Sequence, residues 1–142
     1  MSFGPTEIAL VRNSFAQIEP IAPQAATMFY AHLFRVDPKL RALFRGDMRA
    51  QGAKLMQMIG AAVALLDRPE QLLPVLRKLG ARHQGYGVKD EHYASVGAAL
   101  IQTLEQGLGP AFTPATRAAW LAVYELVCRT MQAAEQPQSL AA

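Results

Sequence analysis

Residues 79–87 read LGARHQGYG. The stretch sets His83 behind Leu72, Leu76 and Leu79 and follows it with Gly85 and Gly87. Steps of four, three and four residues put the three leucines and the histidine on one helix face. The two glycines then end that helix. Two readings fit the residues. One is a helix-end imidazole partly buried beneath its own leucine stripe, and the other is a ligand arm that holds a metal. Spacing alone leaves both open.

Working outward, helical periodicity covers the chain, and no strand alternation interrupts it. Asp67-Arg68-Pro69-Glu70 predicts the start of the histidine-bearing helix, with Asp67 as cap and Glu70 reaching back. Before it, Gln51, Leu55, Met58, Ile59 and Ala62 share the inward face of another helix, led in by the polar stretch 45–50. Asp37-Pro38 reads as an N-cap and first-turn proline of a short helix toward Phe44. Tyr30, Leu33 and Phe34 belong to a helix upstream of it. Ile8, Val11, Phe15 and Ile18 form the first stripe, stopped by Pro20 and Pro23. Downstream, a helix from about Asp90 to Gln106 points Tyr93, Val96, Leu100 and Leu104 inward, and Gly107-Leu108-Gly109-Pro110 breaks it. Thr113-Pro114 caps the last helix, whose buried face is Trp120, Val123, Tyr124, Val127 and Met131. The expectation is an all-α fold of six to seven helices in one domain, 1–142, with a frayed tail over 136–142.

Composition agrees with a packed domain. Of 142 residues 51% are hydrophobic and 18% charged, with a net charge of +3. That length is enough to bury a substantial core. The charge is too mild for a nucleic-acid binder, which would show a clustered basic stripe with interleaved aromatics. The densest basic region, Arg35, Lys39, Arg41, Arg45, Arg49 and Lys54, reads first as solvated surface and otherwise as a patch for anionic groups. Cys128 is the single cysteine, so the chain forms no internal disulfide and no Cys-x-x-Cys-His haem attachment. The start MSFGPTEIAL reaches Glu7 before an apolar run builds, and no run is long enough to span a bilayer. A soluble cytoplasmic protein, free of nucleic acid and membrane, is expected.

No phosphate loop, dinucleotide fingerprint, nucleophile elbow or His-Glu-x-x-His occurs. The three histidines, His32, His83 and His92, include no pair at helical ligand spacing. A metal held by one histidine needs its remaining ligands from elsewhere. A porphyrin supplies four equatorial nitrogens at once, and a single axial imidazole then suffices.

Four segments, in order, carry a resemblance that spans about residues 5–135. They are FYAHLFRVDPKLRALF (29–44), QGAKLMQMIG (51–60), LPVLRKLGARHQGYGVKDEHYASVG (73–97) and AAWLAVYELV (118–127). Together they resemble the bacterial single-domain globins, including the Hell's Gate type, and the haem domain of flavohaemoglobins. The resemblance implies a globin fold around a non-covalent haem b (iron protoporphyrin IX) with His83 as the proximal ligand. It makes Phe44 the ring packed on the porphyrin face, Tyr30 and Gln51 the polar distal pair, and Leu55 the apolar wall of the ligand site. Tyr93 and Glu135 match residues placed to polarise the proximal imidazole. Met58, Leu79, Val88, Val96, Leu100, Val123 and Val127 would line the haem. Two departures stand out. The loop between Phe44 and Gln51 is shorter than in flavohaemoglobins, and the stretch from His83 to Trp120 is longer, which loosens the match at Glu135.

The implied function is reversible, high-affinity oxygen binding at a five-coordinate iron, with hydrogen bonds to the ligand from Tyr30 and Gln51. O2, NO and CO are the implied ligands. Nitric oxide dioxygenation with a separate reductase is the enzymatic alternative, because the match stops where flavohaemoglobins continue into their flavin domain. A haem-based sensor and a haem-free helical module rank behind these.

Overall fold

Among the residues described by the computed structural model, proline stands in the first turn of four of the six α-helices, at Pro5, Pro23, Pro69 and Pro114. Its fixed φ suits the first turn, where its missing N–H costs nothing. The structure describes residues 4–44, 46–85 and 89–134, except for the side chains of residues 83–85, 90 and 134. The helices are α1 (Pro5–Ile18), α2 (Ala22–Val36), α3 (Met48–Ala64), α4 (Pro69–Gly85), α5 (Asp90–Leu108) and α6 (Pro114–Ala134). Short 3-10 helices at Glu19–Ile21, Pro38–Leu43 and Gly109–Ala111 turn the corners. Among the described residues no strand occurs. The all-α expectation holds.

The apolar stripes face inward as two adjoining clusters. In the larger, Val11, Phe15 and Ile18 of α1 meet Leu72 and Leu76 of α4 with Trp120 and Val123 of α6. In the smaller, Phe29 and Leu33 of α2 meet Leu40 and Ala99, with Tyr30, Phe34, Phe44, Leu55, Val96 and Leu100 packed around them. A buried hydrogen bond crosses the larger cluster: Trp120 Nε1 donates to Ser14 Oγ at 2.8 Å, and the hydroxyl donates to the Leu10 carbonyl at 2.7 Å. Ser14→Ala strands the indole N–H and should cost about 1–3 kcal/mol. A urea titration checks it, and an unchanged midpoint would mean the indole has found water.

The α4–α6 contact is set by Gly80. A methyl group there would stand 2.7 Å from the Met131 Cα, against backbone that cannot swing aside. Gly80→Ala should therefore push the two helices apart and cost about 3 kcal/mol, despite alanine's better helix propensity. Denaturant unfolding of the variant tests it; a stabilised variant would show that propensity wins.

Three local expectations change. Asp67 does not cap α4, which begins at Pro69. Its carboxylate instead receives Arg12 at 2.8 Å, while Arg12 also donates to the Ala64 carbonyl at 2.8 Å, closing the C-terminal end of α3. The guanidinium's hydrogen bond holds the Asp67 carboxyl below its ordinary pKa. Asp37 makes no side-chain cap to the 3-10 helix that follows it; its carboxylate accepts from Ser95 Oγ at 3.5 Å. On α3, Met58 is 37% exposed, whereas Met56 and Ile59 pack against the larger cluster. The reason is that α3 lies between α1 and α2, which turns its buried face toward residues 52, 56, 59 and 63.

Candidate functional site

The crossing of α2 and α3 depends on an absent side chain. A Cβ at Gly52 would lie 2.8 Å from the Ala26 Cβ and 3.8 Å from the Tyr30 ring. Glycine thus lets the two backbones approach. Leu55 then packs into the smaller cluster beside Tyr30, Phe44 and Val96. Asp47 starts α3 by accepting the Arg49 N–H at 2.9 Å, so Gln51 falls in the second turn, half-buried, one turn ahead of Leu55.

Tyr30 is ringed by aromatic side chains. Phe29 meets it edge-on at 5.2 Å between centroids and Phe44 edge-on at 5.3 Å, while Phe34 stacks at 6.0 Å. Burial pushes the phenol above its ordinary pKa, so the O–H keeps its proton through the neutral range and serves as a hydrogen-bond donor. Four of the residues assigned to the distal side or the haem wall (Tyr30, Phe44, Leu55 and Val96) are therefore brought together at one corner.

On the other side, α4 carries His83 within its last turn, one turn beyond the half-buried Leu79. The imidazole itself lies outside the described residues, as do Val88 and Glu135. Leu79 and Val127 pack against the larger cluster, and Tyr93 is 7% exposed. Tyr124, which the sequence marked only as core, has a further role. Its hydroxyl donates to the Tyr93 carbonyl, and its ring rides over Gly97, where a Cβ would come within 2.6 Å. Burial, helped by the neighbouring Cys128, pushes the Tyr124 phenol upward, and burial likewise raises the Cys128 thiol. The pairing of Gly97 with Tyr124 leaves no trace in periodicity, because it joins two helices across sequence. Tyr93 is thus held at its backbone from α6, on the helix that follows His83.

The remaining histidines have local tasks. His32 Nε2 shares a 2.7 Å hydrogen bond with Gln106 Oε1, tying α2 to α5. His92 Nδ1 accepts the Lys89 N–H at 2.9 Å at the start of α5. Among the described residues no cluster of three His, Cys, Asp or Glu could hold a metal ion. A macrocycle that brings four ligands of its own needs no such cluster. The helix pairing is compatible with such a group: α3 packs on α1 and α2, α4 packs on α6, and among the described residues α3 and α4 are not a closely packed pair despite being consecutive. An apolar cluster with one half-buried phenol beside α3, and a histidine in the last turn of α4, are compatible with a flat macrocycle held by one imidazole.

The globin family model matches residues 27–131. Neuroglobins of Danio rerio and Tetraodon nigroviridis are each 32% identical over 136 residues, and that of Dissostichus mawsoni is 31% identical, in every case covering 86% of both chains. No described helix is long and apolar enough to cross a membrane. The chain belongs to the globin family, which implies a haem cofactor and the binding of small gas ligands.

Proposed function

We propose that this chain is a globin of the bacterial single-domain type that holds haem b through His83 and binds oxygen reversibly and tightly. The supporting observation is Tyr30, a half-buried phenol whose ring packs among Phe29, Phe34 and Phe44 at the α2–α3 crossing and whose pKa burial raises. A haem held by His83 would supply the iron that takes a diatomic gas and the electron density that polarises it. Tyr30 would donate its O–H to that gas, and Gln51 would turn an amide N–H toward it from α3. Phe44, Leu55 and Val96 exclude water, which strengthens both hydrogen bonds. Leu79, Val123 and Val127 would line the side of the haem that His83 holds, and the hydrogen bond from Tyr124 fixes the Tyr93 backbone on α5. A spectral series on purified protein tests the proposal: ferric, ferrous and oxy forms with a Soret band support it. Protein that takes up no haem refutes it.

The same donor favours nitric oxide dioxygenation as the second function, because a charged oxygen ligand is what a phenol stabilises best. Oxygenated protein mixed with nitric oxide and a reductase separates the two. Nitrate formed over many cycles marks the enzyme, and a single equivalent marks the carrier.

A further inference from the structure

Charge on this chain is unevenly spread. Residues 35–54 hold six of the fourteen Lys and Arg but only two of the eleven Asp and Glu, so they carry +4 while the remaining residues carry −1. Arg35, Lys39, Arg41 and Arg49 are exposed and run from the end of α2 through the 3-10 helix Pro38–Leu43 to the start of α3. Among them lie two apolar side chains that face solvent, Val36 at 42% and Leu43 at 38% exposure. The patch covers the outside of the candidate site. Arg41 Cζ sits 5.3 Å above the Phe34 ring, Phe34 meets Phe44 at 5.6 Å, and Phe44 meets Tyr30 at 5.3 Å.

We propose that this corner is the docking surface for a protein electron donor with a carboxylate-rich face. The proposal rests on haem binding as set out above. Oxygen binding requires ferrous iron, so a ferric haem must receive an electron before it can take the gas. The donor's reduced flavin would give up one electron, becoming the semiquinone, and a ferric haem would accept it, with no bond made or broken in this chain. A ring of cations around a small apolar centre suits a brief encounter of this kind: charge steers the approach, and a small contact area lets the partners part. Duplex DNA or RNA fits less well, because the aromatic rings here pack inward on one another and present no stacking face. An anionic membrane would need a broader apolar face than two side chains.

The probe is flavodoxin, an acidic flavoprotein, titrated in its oxidised form into isotope-labelled globin, so that binding is read without electron transfer. Shifted resonances should map to residues 35–49. Affinity should fall about tenfold as salt screens the patch, and at least about tenfold in the Arg35→Glu/Lys39→Glu variant. That pair avoids the Arg41–Phe34 contact and leaves folding intact. Reversal of the exposed pair Arg77 and Lys78 on α4 should change little. Unchanged affinity in the corner variant, equal loss in the α4 variant, or binding of phosphatidylserine vesicles or duplex DNA in place of flavodoxin would each overturn the proposal. Flavodoxin that binds the corner of a chain unable to take haem would leave the surface standing and sink the functional proposal. A chain that binds oxygen yet ignores flavodoxin would do the reverse.

Discussion

Purified His83→Gly will lack the Soret band, and imidazole added to the solution will restore it. The macrocycle has one protein ligand in this proposal, the imidazole of His83. His32 and His92 are committed elsewhere, to Gln106 and to the Lys89 N–H. Removing the imidazole leaves only apolar contact to retain the haem. Free imidazole is small enough to enter the space vacated by the side chain. A stability effect accompanies the colour change. A ligand that binds only the folded state contributes about 4 kcal/mol when present at about a thousand times its Kd. The variant forfeits that contribution, and its melting temperature should fall toward that of the apoprotein. A His83→Gly protein with unaltered absorption and magnetic spectra would end the assignment.

Tyr30→Phe is the second large effect. The ring stays, so the contacts with Phe29, Phe34 and Phe44 survive and the fold should not change. Only the O–H is lost. A hydrogen bond to a charged acceptor contributes about 1.5–3 kcal/mol, which corresponds to roughly 10- to 150-fold faster oxygen dissociation. Carbon monoxide builds less charge when bound, and its release should change far less. The raised Tyr30 pKa adds a pH signature. The phenol is protonated below its folded pKa and loses its donor only above the ordinary tyrosine range. Oxygen release from the unmutated protein should therefore be flat across neutral pH. Stopped-flow dissociation measures all three quantities, and a rate unaltered by Tyr30→Phe would show that the hydroxyl points away from the ligand. Gln51→Leu provides the companion measurement, since the amide sits one turn before Leu55 on α3.

Much of the fold was legible as periodicity. The stripes Val11–Phe15–Ile18, Leu72–Leu76 and Trp120–Val123 are buried as the spacing predicts. Breaks at Pro20, Asp37-Pro38 and Gly109-Pro110 fall at the ends of helices. The errors came where a side chain had two possible partners. Asp67 looks like a cap from its neighbours in sequence, but Arg12, on α1, outcompetes that task with a charge-assisted hydrogen bond. Met58 fits the inward stripe at helical spacing, yet the sandwiching of α3 between two helices rotates the buried face past it.

The candidate site divides along the same line. His83 stood out from local pattern: a histidine ending a leucine stripe before two glycines is visible without knowing the fold. Tyr30 and Phe44 were placed by resemblance, and only packing revealed that their rings meet and that the phenol is desolvated. Nothing in the periodicity marks Gly52 against Ala26, Gly80 against Met131 or Gly97 against Tyr124.

By itself the amino-acid sequence determined that this chain would be all helical and near which residues its helices break, and it singled out one histidine as a candidate metal ligand. Those properties follow from backbone geometry and the spacing of apolar side chains along one helix. Which helices touch, how closely, and which polar groups are dried out by that contact were decided only in the tertiary structure. Such contacts join residues far apart in sequence, and each is settled by steric fit between surfaces that no single helix contains.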